Sequence, residues 1–329
     1  MPPFLPCPDR PARRRSSVVV AFAGLILTGC VAFQSTEPPT AAPPASSVPA
    51  SRPQPPAPAE PSAVQDQITA YFAQLEAQRL SNGLLRRERM PRDLPVTARD
   101  IEEIFVRIAL YEEYTVTGAR FTERESPIAL RRWEQPVRMQ LAFGASVPDA
   151  MRRTDTAVVT SFAARLGGLT GHPVSRVTSG GNFHVVVVNE AERLAIGPRL
   201  RQLIPDIDPG TVELVQSIPL TVSCLVLAFS RSGTDVYTDA LAIIRAELPD
   251  LSRRACYFEE LAQGMGLPND SPRARPSLFN DSAEFAVLTV LDEYLLRVLY
   301  DPRLRPGMRE PEARPIIRRI ASELMGGES

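Results

Sequence analysis

The run Phe183-His184-Val185-Val186-Val187-Val188-Asn189 restricts the fold more than any other stretch of the chain. β-Branched side chains without polar alternation read as a strand buried on both faces. Such a strand needs a sheet around it and covering layers on either side of that sheet.

Neighbouring segments supply both. Val137, Met139 and Leu141 alternate with polar residues within 131–143, the pattern of a half-buried strand, and Trp133 just before it is expected at the core or its rim. Val222 to Phe229 and Leu241 to Arg245 read as two more strands, divided by the turn Arg231-Ser232-Gly233. Helical spacing of Ile68, Tyr71, Phe72 and Leu75 predicts a helix over 64–88. Thr97 caps a second, reaching Tyr111, with Ile101, Ile104, Phe105 and Ile108 on its apolar face. A third is expected from Asp155 to Leu169, ended by Gly167-Gly168, and a short one near Arg199–Leu203. Pro249-Asp250-Leu251-Ser252 then opens a long helix. With 44% hydrophobic and 23% charged residues in 329, the composition is that of a globular protein. A net charge of −1 argues against nucleic acid as a partner, since phosphate neutralisation needs a concentrated basic surface.

The long helix carries Cys-Tyr-Phe-Glu-Glu-Leu-Ala-Gln-Gly-Met-Gly-Leu-Pro-Asn-Asp, residues 256–270. Glu259 and Gln263 stand four residues apart on one helix face, Gly266 follows at the turn, and Asn269 comes three residues later. This spacing resembles the zinc-binding helix of metzincin proteases, H-E-x-x-H-x-x-G-x-x-H, with Glu260 at the general-base position. The resemblance implies an α+β, zincin-like fold in which a twisted sheet packs on two helices, the second carrying the motif. All three histidines are replaced, and one carboxylate with two amides is a poor zinc cage. No metal and no cofactor are expected, and Glu260 then has no metal-bound water to deprotonate. The chain's two histidines, His172 and His184, lack helix-borne ligand spacing and are expected to be structural.

Further on, Pro276-Ser277-Leu278-Phe279-Asn280-Asp281 resembles the metzincin Met-turn, with Phe279 where the methionine would lie beneath the metal. Leu288 to Asp292, followed by Leu295 to Tyr300, is similar to the C-terminal helix of that clan. Taken together, E-E-L-A-Q-G-M-G-L-P-N-D, S-L-F-N-D and L-L-R-V-L-Y-D-P-R-L-R-P-G-M resemble a family of Gram-negative lipoproteins, the domain of unknown function 2927, over about residues 130–325.

The N-terminus agrees with that resemblance. Arginines at 10 and 13–15 precede the apolar run Val18 to Leu27, which is too short to span a membrane and reads as a signal peptide over 1–29. Leu27-Thr28-Gly29-Cys30 resembles a bacterial lipobox, implying cleavage before Cys30 and lipidation of its thiol. Val31 in place of an aspartate favours the outer membrane, on its periplasmic face. Residues 30–62 are rich in Pro, Ala and Ser and form an expected disordered tether. A helical region at 63–125 and the zincin-like domain at 126–329 complete the organisation. Once the signal is removed and Cys30 is lipidated, Cys224 and Cys256 remain, and an oxidising compartment favours a disulfide between them. Closing that loop would contribute about 3 kcal/mol.

Three functions compete on this basis. The first is a membrane-anchored, metal-free binding or scaffold module, a metalloprotease-like pseudoenzyme whose cleft holds a peptide, glycan or envelope protein. Its expected cleft residues are Glu259, Glu260, Gln263, Asn269 and Phe279. The second is a metal-dependent or carboxylate-based hydrolase using Glu260. Adjacent helix residues project about 100° apart, which argues against a facing carboxylate pair at Glu259 and Glu260. The third is a purely structural envelope lipoprotein.

Overall fold

The computed structural model of the chain describes residues 61–117, 120–231 and 233–326. The signal peptide, Cys30 and the tether up to residue 60 lie outside the described residues. Two helices come first, α1 (Pro61–Ser81) and α2 (Ala98–Ala109), followed by the strands β1 (Tyr111–Thr117), β2 (Arg120–Pro127), β3 (Arg132–Trp133) and β4 (Val137–Phe143). Next are α3 (Asp149–Thr170), β5 (Val174–Val177), β6 (Phe183–Val188), and the short helices α4 (Glu190–Leu194), α5 (Gly197–Leu203) and α6 (Pro209–Ser217). β7 (Cys224–Ser230), β8 (Val236–Arg245), α7 (Asp250–Gln263), α8 (Val290–Leu299) and α9 (Glu310–Leu324) complete the order.

The class is α+β with a mostly parallel sheet. β5, β4, β6 and β8 lie side by side and parallel, while β7 joins the far side of β8 antiparallel. β6 sits between β4 and β8, and every one of its residues is buried, as its valine run requires. Its side chains alternate between two cores. Phe183, Val185 and Val187 pack with Val159, Phe162 and Leu166 of α3 and Tyr257 and Leu261 of α7. Val186 and Val188 join Leu200, Val212 and Val215 beneath α5 and α6 on the opposite face.

Reaching β6 from β5 takes the chain past β4 in five residues. Gly181 makes this possible, since a Cβ there would fall 2.5 Å from the Gln140 Cβ. Asn182 then fixes the register: its amide N–H donates to the Arg138 carbonyl (3.0 Å), and its Oδ1 accepts the Arg138 N–H (2.7 Å).

Several boundaries differ from those the sequence predicts. α1 stops at Ser81 rather than 88, because Asn82-Gly83 turns the chain with Gly83 at φ 73°. α2 has the expected Thr97 cap, as a capping box with Asp100, but ends at Ala109 because Tyr111 already belongs to β1. α3 continues through Gly167 and Gly168 to Gly171, whose left-handed φ of 66° closes it. The β1–β2 hairpin lies within the region expected to be helical, and the boundary expected at 125/126 falls inside β2. α9 packs along α2, where Arg314 and Arg318 both bond the buried Glu102.

Candidate functional site

α7 is held at both ends. Near its start Arg253, 3% exposed at the side chain, pairs with the equally buried Asp155 of α3 at 3.0 Å, and Tyr257 donates to the same carboxylate at 2.9 Å. At its end, Trp133 Nε1 donates to the Gly264 carbonyl (2.8 Å) and the Tyr300 hydroxyl to that of Met265 (3.0 Å). Gly266 has φ 130°, and a Cβ there would lie 2.3 Å from the Arg131 carbonyl oxygen, so only glycine fits this turn.

Between these anchors, Cys256, Glu259 and Glu260 share a helix face at spacings of three and four residues. Cys256 is bonded to Cys224, the first residue of β7, with Cα atoms 6.0 Å apart. The sulfur of Cys224 and one carboxylate oxygen each from Glu259 and Glu260 all lie within 4.8 Å of one another. The two glutamates therefore do not diverge as their backbone offset of about 100° predicts. Three rotatable bonds per side chain let both carboxylates swing toward the disulfide, which the backbone geometry alone does not capture.

Burial is the largest cause holding Glu259 and Glu260 well above the ordinary carboxylate range. Glu259 keeps some exposed surface, but protein encloses it on most sides; Glu260 is 5% exposed. Asp270 adds like charge to both, while Arg79 partly offsets the effect at Glu259. The motif runs directly into Asp270, yet its spacing gives that residue no role. Its part becomes visible only where the chain folds back and its Oδ1 accepts from Gln263 Nε2 at 2.9 Å.

The other two sequence candidates serve the core. Asn269 is 3% exposed; its backbone N–H donates to the Ile108 carbonyl and its Nδ2 to that of Arg107, satisfying the last carbonyls of α2. Its Oδ1 is buried without a partner. Phe279 is fully buried, with its N–H on Ser277 Oγ and its carbonyl accepting from the Ser271 N–H. His184 is buried within β6, and His172 contacts the Gln135 carbonyl and the Tyr300 ring.

This donor set does not fit the zinc ion that the metzincin spacing implies. The Gln263 amide is engaged by Asp270, and the Asn269 amide by α2. Glu259 is the only carboxylate at the three ligand positions. Among the described residues, the nearest approach to a metal cluster is instead Cys224, Glu259 and Glu260, with its sulfur committed to the disulfide. A concavity of about 380 Å³ lies away from these groups, between Asn82–Arg86 and residues 272–284, and its arginines are paired with Asp93 and Glu284.

β7 borders the site. It pairs with β8 along one edge, and all seven of its residues are half-buried. Among the described residues no helix is long and apolar enough to cross a membrane. Neither the curated proteins nor the solved structures provide a match. A family described as "Protein of unknown function (DUF2927)" matches residues 98–319, from the first turn of α2 into α9, and the chain belongs to that family.

Proposed function

We propose that the protein is a lipoprotein anchored through Cys30 to the periplasmic face of the outer membrane, and that its folded part is a zincin-like module that binds extended peptide segments without cutting them. The zincin reading draws support from the element order β4, α3, β5, β6, β7, β8, α7, interrupted by the short helices α4 to α6 between β6 and β7, and from a sheet resting on α3 and on the motif-bearing α7. The observation that carries the binding role is the position of β7. Among the described residues β7 is paired on one side only, and such a strand offers backbone donors and acceptors to a second strand, the usual basis of peptide recognition by strand addition. Its first residue lies against Glu259 and Glu260, so a basic side chain on the added peptide would meet two carboxylates of which Arg79 offsets only Glu259, and that in part. Binding would draw both toward ionisation and release protons.

An array of extended peptides tests this reading. Peptides with Arg or Lys should be retained over neutral ones, uncut. Glu259→Gln should weaken their binding by about tenfold, or about 1.4 kcal/mol, without altering the circular dichroism spectrum. Equal retention of basic and neutral peptides, or no retention, would remove the binding role.

The convergence of Glu259 and Glu260 favours one other reading, a carboxylate-based hydrolase. Two nearby carboxyls, both held well above the ordinary carboxylate range by burial, can serve as acid and base. Hydrolysis of a peptide or glycan that is lost in Glu260→Gln would establish that activity and displace the non-catalytic reading.

A further inference from the structure

The corner where β7 meets α7 holds three potential metal donors whose availability depends on one bond. We infer that reduction of the Cys224–Cys256 disulfide converts this corner into a zinc site made of Cys224 Sγ and one carboxylate oxygen each from Glu259 and Glu260. The inference does not depend on peptide binding at β7.

The geometry comes first. These three atoms already lie within 4.8 Å of one another. Tetrahedral zinc, with Zn–S near 2.3 Å and Zn–O near 2.1 Å, places its donors about 3.5 Å apart. Rotation of two glutamate side chains covers the difference. The sulfur is held by more than the disulfide, because Cys224 pairs with Ile244 in the β7–β8 ladder. Cys256 sits within α7, and its spacing to Glu259 and Glu260 is fixed by the helix.

A second observation is independent of the clustering. Glu260 is 5% exposed, and no hydrogen bond or ion pair holds its carboxylate among the described residues. It is nevertheless aimed at Glu259 and at the Cys224 sulfur. A buried carboxylate ordinarily has a hydrogen-bond or charge partner, and the charged group next to it, Asp270, has the wrong sign. A cation in this corner would supply that partner.

The donor types select the ion. Two carboxylate oxygens alone make a weak, hard site, whereas adding a thiolate favours zinc over calcium or magnesium. In the oxidised protein the Cys224 sulfur is bonded to Cys256 and is not a thiolate ligand. Opening the site requires a two-electron reductant, either a dithiol or a phosphine that takes its oxygen from water and leaves as the phosphine oxide. The dithiol supplies two electrons and two protons, the S–S bond breaks, both cysteines become thiols, and the reductant leaves as its own disulfide. Zinc then replaces the Cys224 thiol proton and any proton carried by the Glu259 and Glu260 carboxyls, all of which pass to solvent, while Cys256 remains a thiol. Three protein donors leave a fourth position open.

Zinc alone is the probe, added to the full-length chain with a chelator as competitor. The oxidised protein should bind none at this corner, and the protein reduced with a phosphine that does not chelate should bind one equivalent. Cys256→Ser and Cys224→Ser both abolish the disulfide and retain the other cysteines, so they share any loss of stability. Under the same reducing conditions Cys256→Ser should bind zinc, and cobalt in its place should give a thiolate charge-transfer band; Cys224→Ser should do neither. Should both cysteine variants misfold, Glu260→Gln in the reduced wild-type background decides the matter, with an expected loss of affinity of at least about tenfold. Zinc binding that is equal in the oxidised and reduced forms, equal in the two cysteine variants, absent on reduction, or unchanged by Glu260→Gln would overturn the inference.

Discussion

Arg253 of α7 and Asp155 of α3 form an ion pair at 3.0 Å with both side chains 3% exposed, joining the two helices that flank one face of the sheet. The guanidinium also donates to the Leu248 carbonyl and to Asp250, and the carboxylate accepts from Tyr257. Removing Asp155 leaves the buried guanidinium with only the Leu248 carbonyl and the exposed Asp250 as partners, and strips Tyr257 of its acceptor. Asp155→Ala should therefore destabilise the fold by about 3–5 kcal/mol. Urea unfolding followed by circular dichroism measures this; a loss below about 1 kcal/mol, the range of an exposed pair, would show that the pair is not buried in solution.

Gly266 sets how the chain leaves α7. At its φ of 130°, an added methyl would stand only 2.3 Å from the Arg131 carbonyl oxygen, which leaves no room for a side chain. Gly266→Ala should cost at least about 1–3 kcal/mol from backbone strain alone, with the steric clash adding to it. Gly83→Ala offers a comparison, since its φ is also positive but no atom lies within 4 Å of its would-be Cβ. The thermal midpoint should fall further for Gly266→Ala, and equal shifts would refute the close contact with Arg131.

Stability should depend on pH with a sign set by the buried acids. Burial pushes the Asp292 carboxyl from 3.8 up to about 6, although Ser277 Oγ and the backbone N–H groups of Thr289 and Leu278 donate to it and pull the other way. Glu259 and Glu260 shift in the same direction. A group held above its unfolded value favours the fold while protonated. The Asp292 contribution is thus fully present below about pH 4 and is lost as pH rises through about 6. Glu102, held low chiefly by its hydrogen bond from Arg318, acts oppositely and loses its contribution as pH falls through its depressed value. The urea midpoint is expected to rise from about pH 8 to about pH 5, and Asp292→Asn should flatten that rise. A midpoint that declines over this interval would contradict the assignment.

Anchoring can be read by fractionation. Cys30→Ser should release the protein from the membrane pellet into the soluble periplasmic fraction, because one retained signal without acyl chains gives no stable anchor. Continued sedimentation with the outer membrane would exclude lipidation of Cys30 as the tether.

The sequence by itself determined those features whose cause is local. The valine run at 185–188 forces full burial of β6, Thr97 and Asp100 form the cap of α2, and Pro249-Asp250 marks the start of α7. The Cys224–Cys256 pairing was also within reach, since the expected signal peptide and lipobox account for Cys7 and Cys30 and leave those two cysteines to each other. Spacing along α7 placed Glu259, Glu260 and Gln263 near one another, because helix geometry fixes neighbours three and four residues apart. Tertiary structure alone decided what those residues meet. Asp270 reaches Gln263 only because Gly266 turns the chain back, and Asn269, three residues past that turn, is drawn away to the carbonyls of α2 some 160 positions earlier. The disulfide brings Cys224 to the face of α7 that carries Glu259 and Glu260, but that both carboxylates turn toward its sulfur rather than apart is settled only by the packing around them. Periodicity states which side of an element is buried; the partner found there depends on contacts between distant segments, and those are set only when the whole core closes.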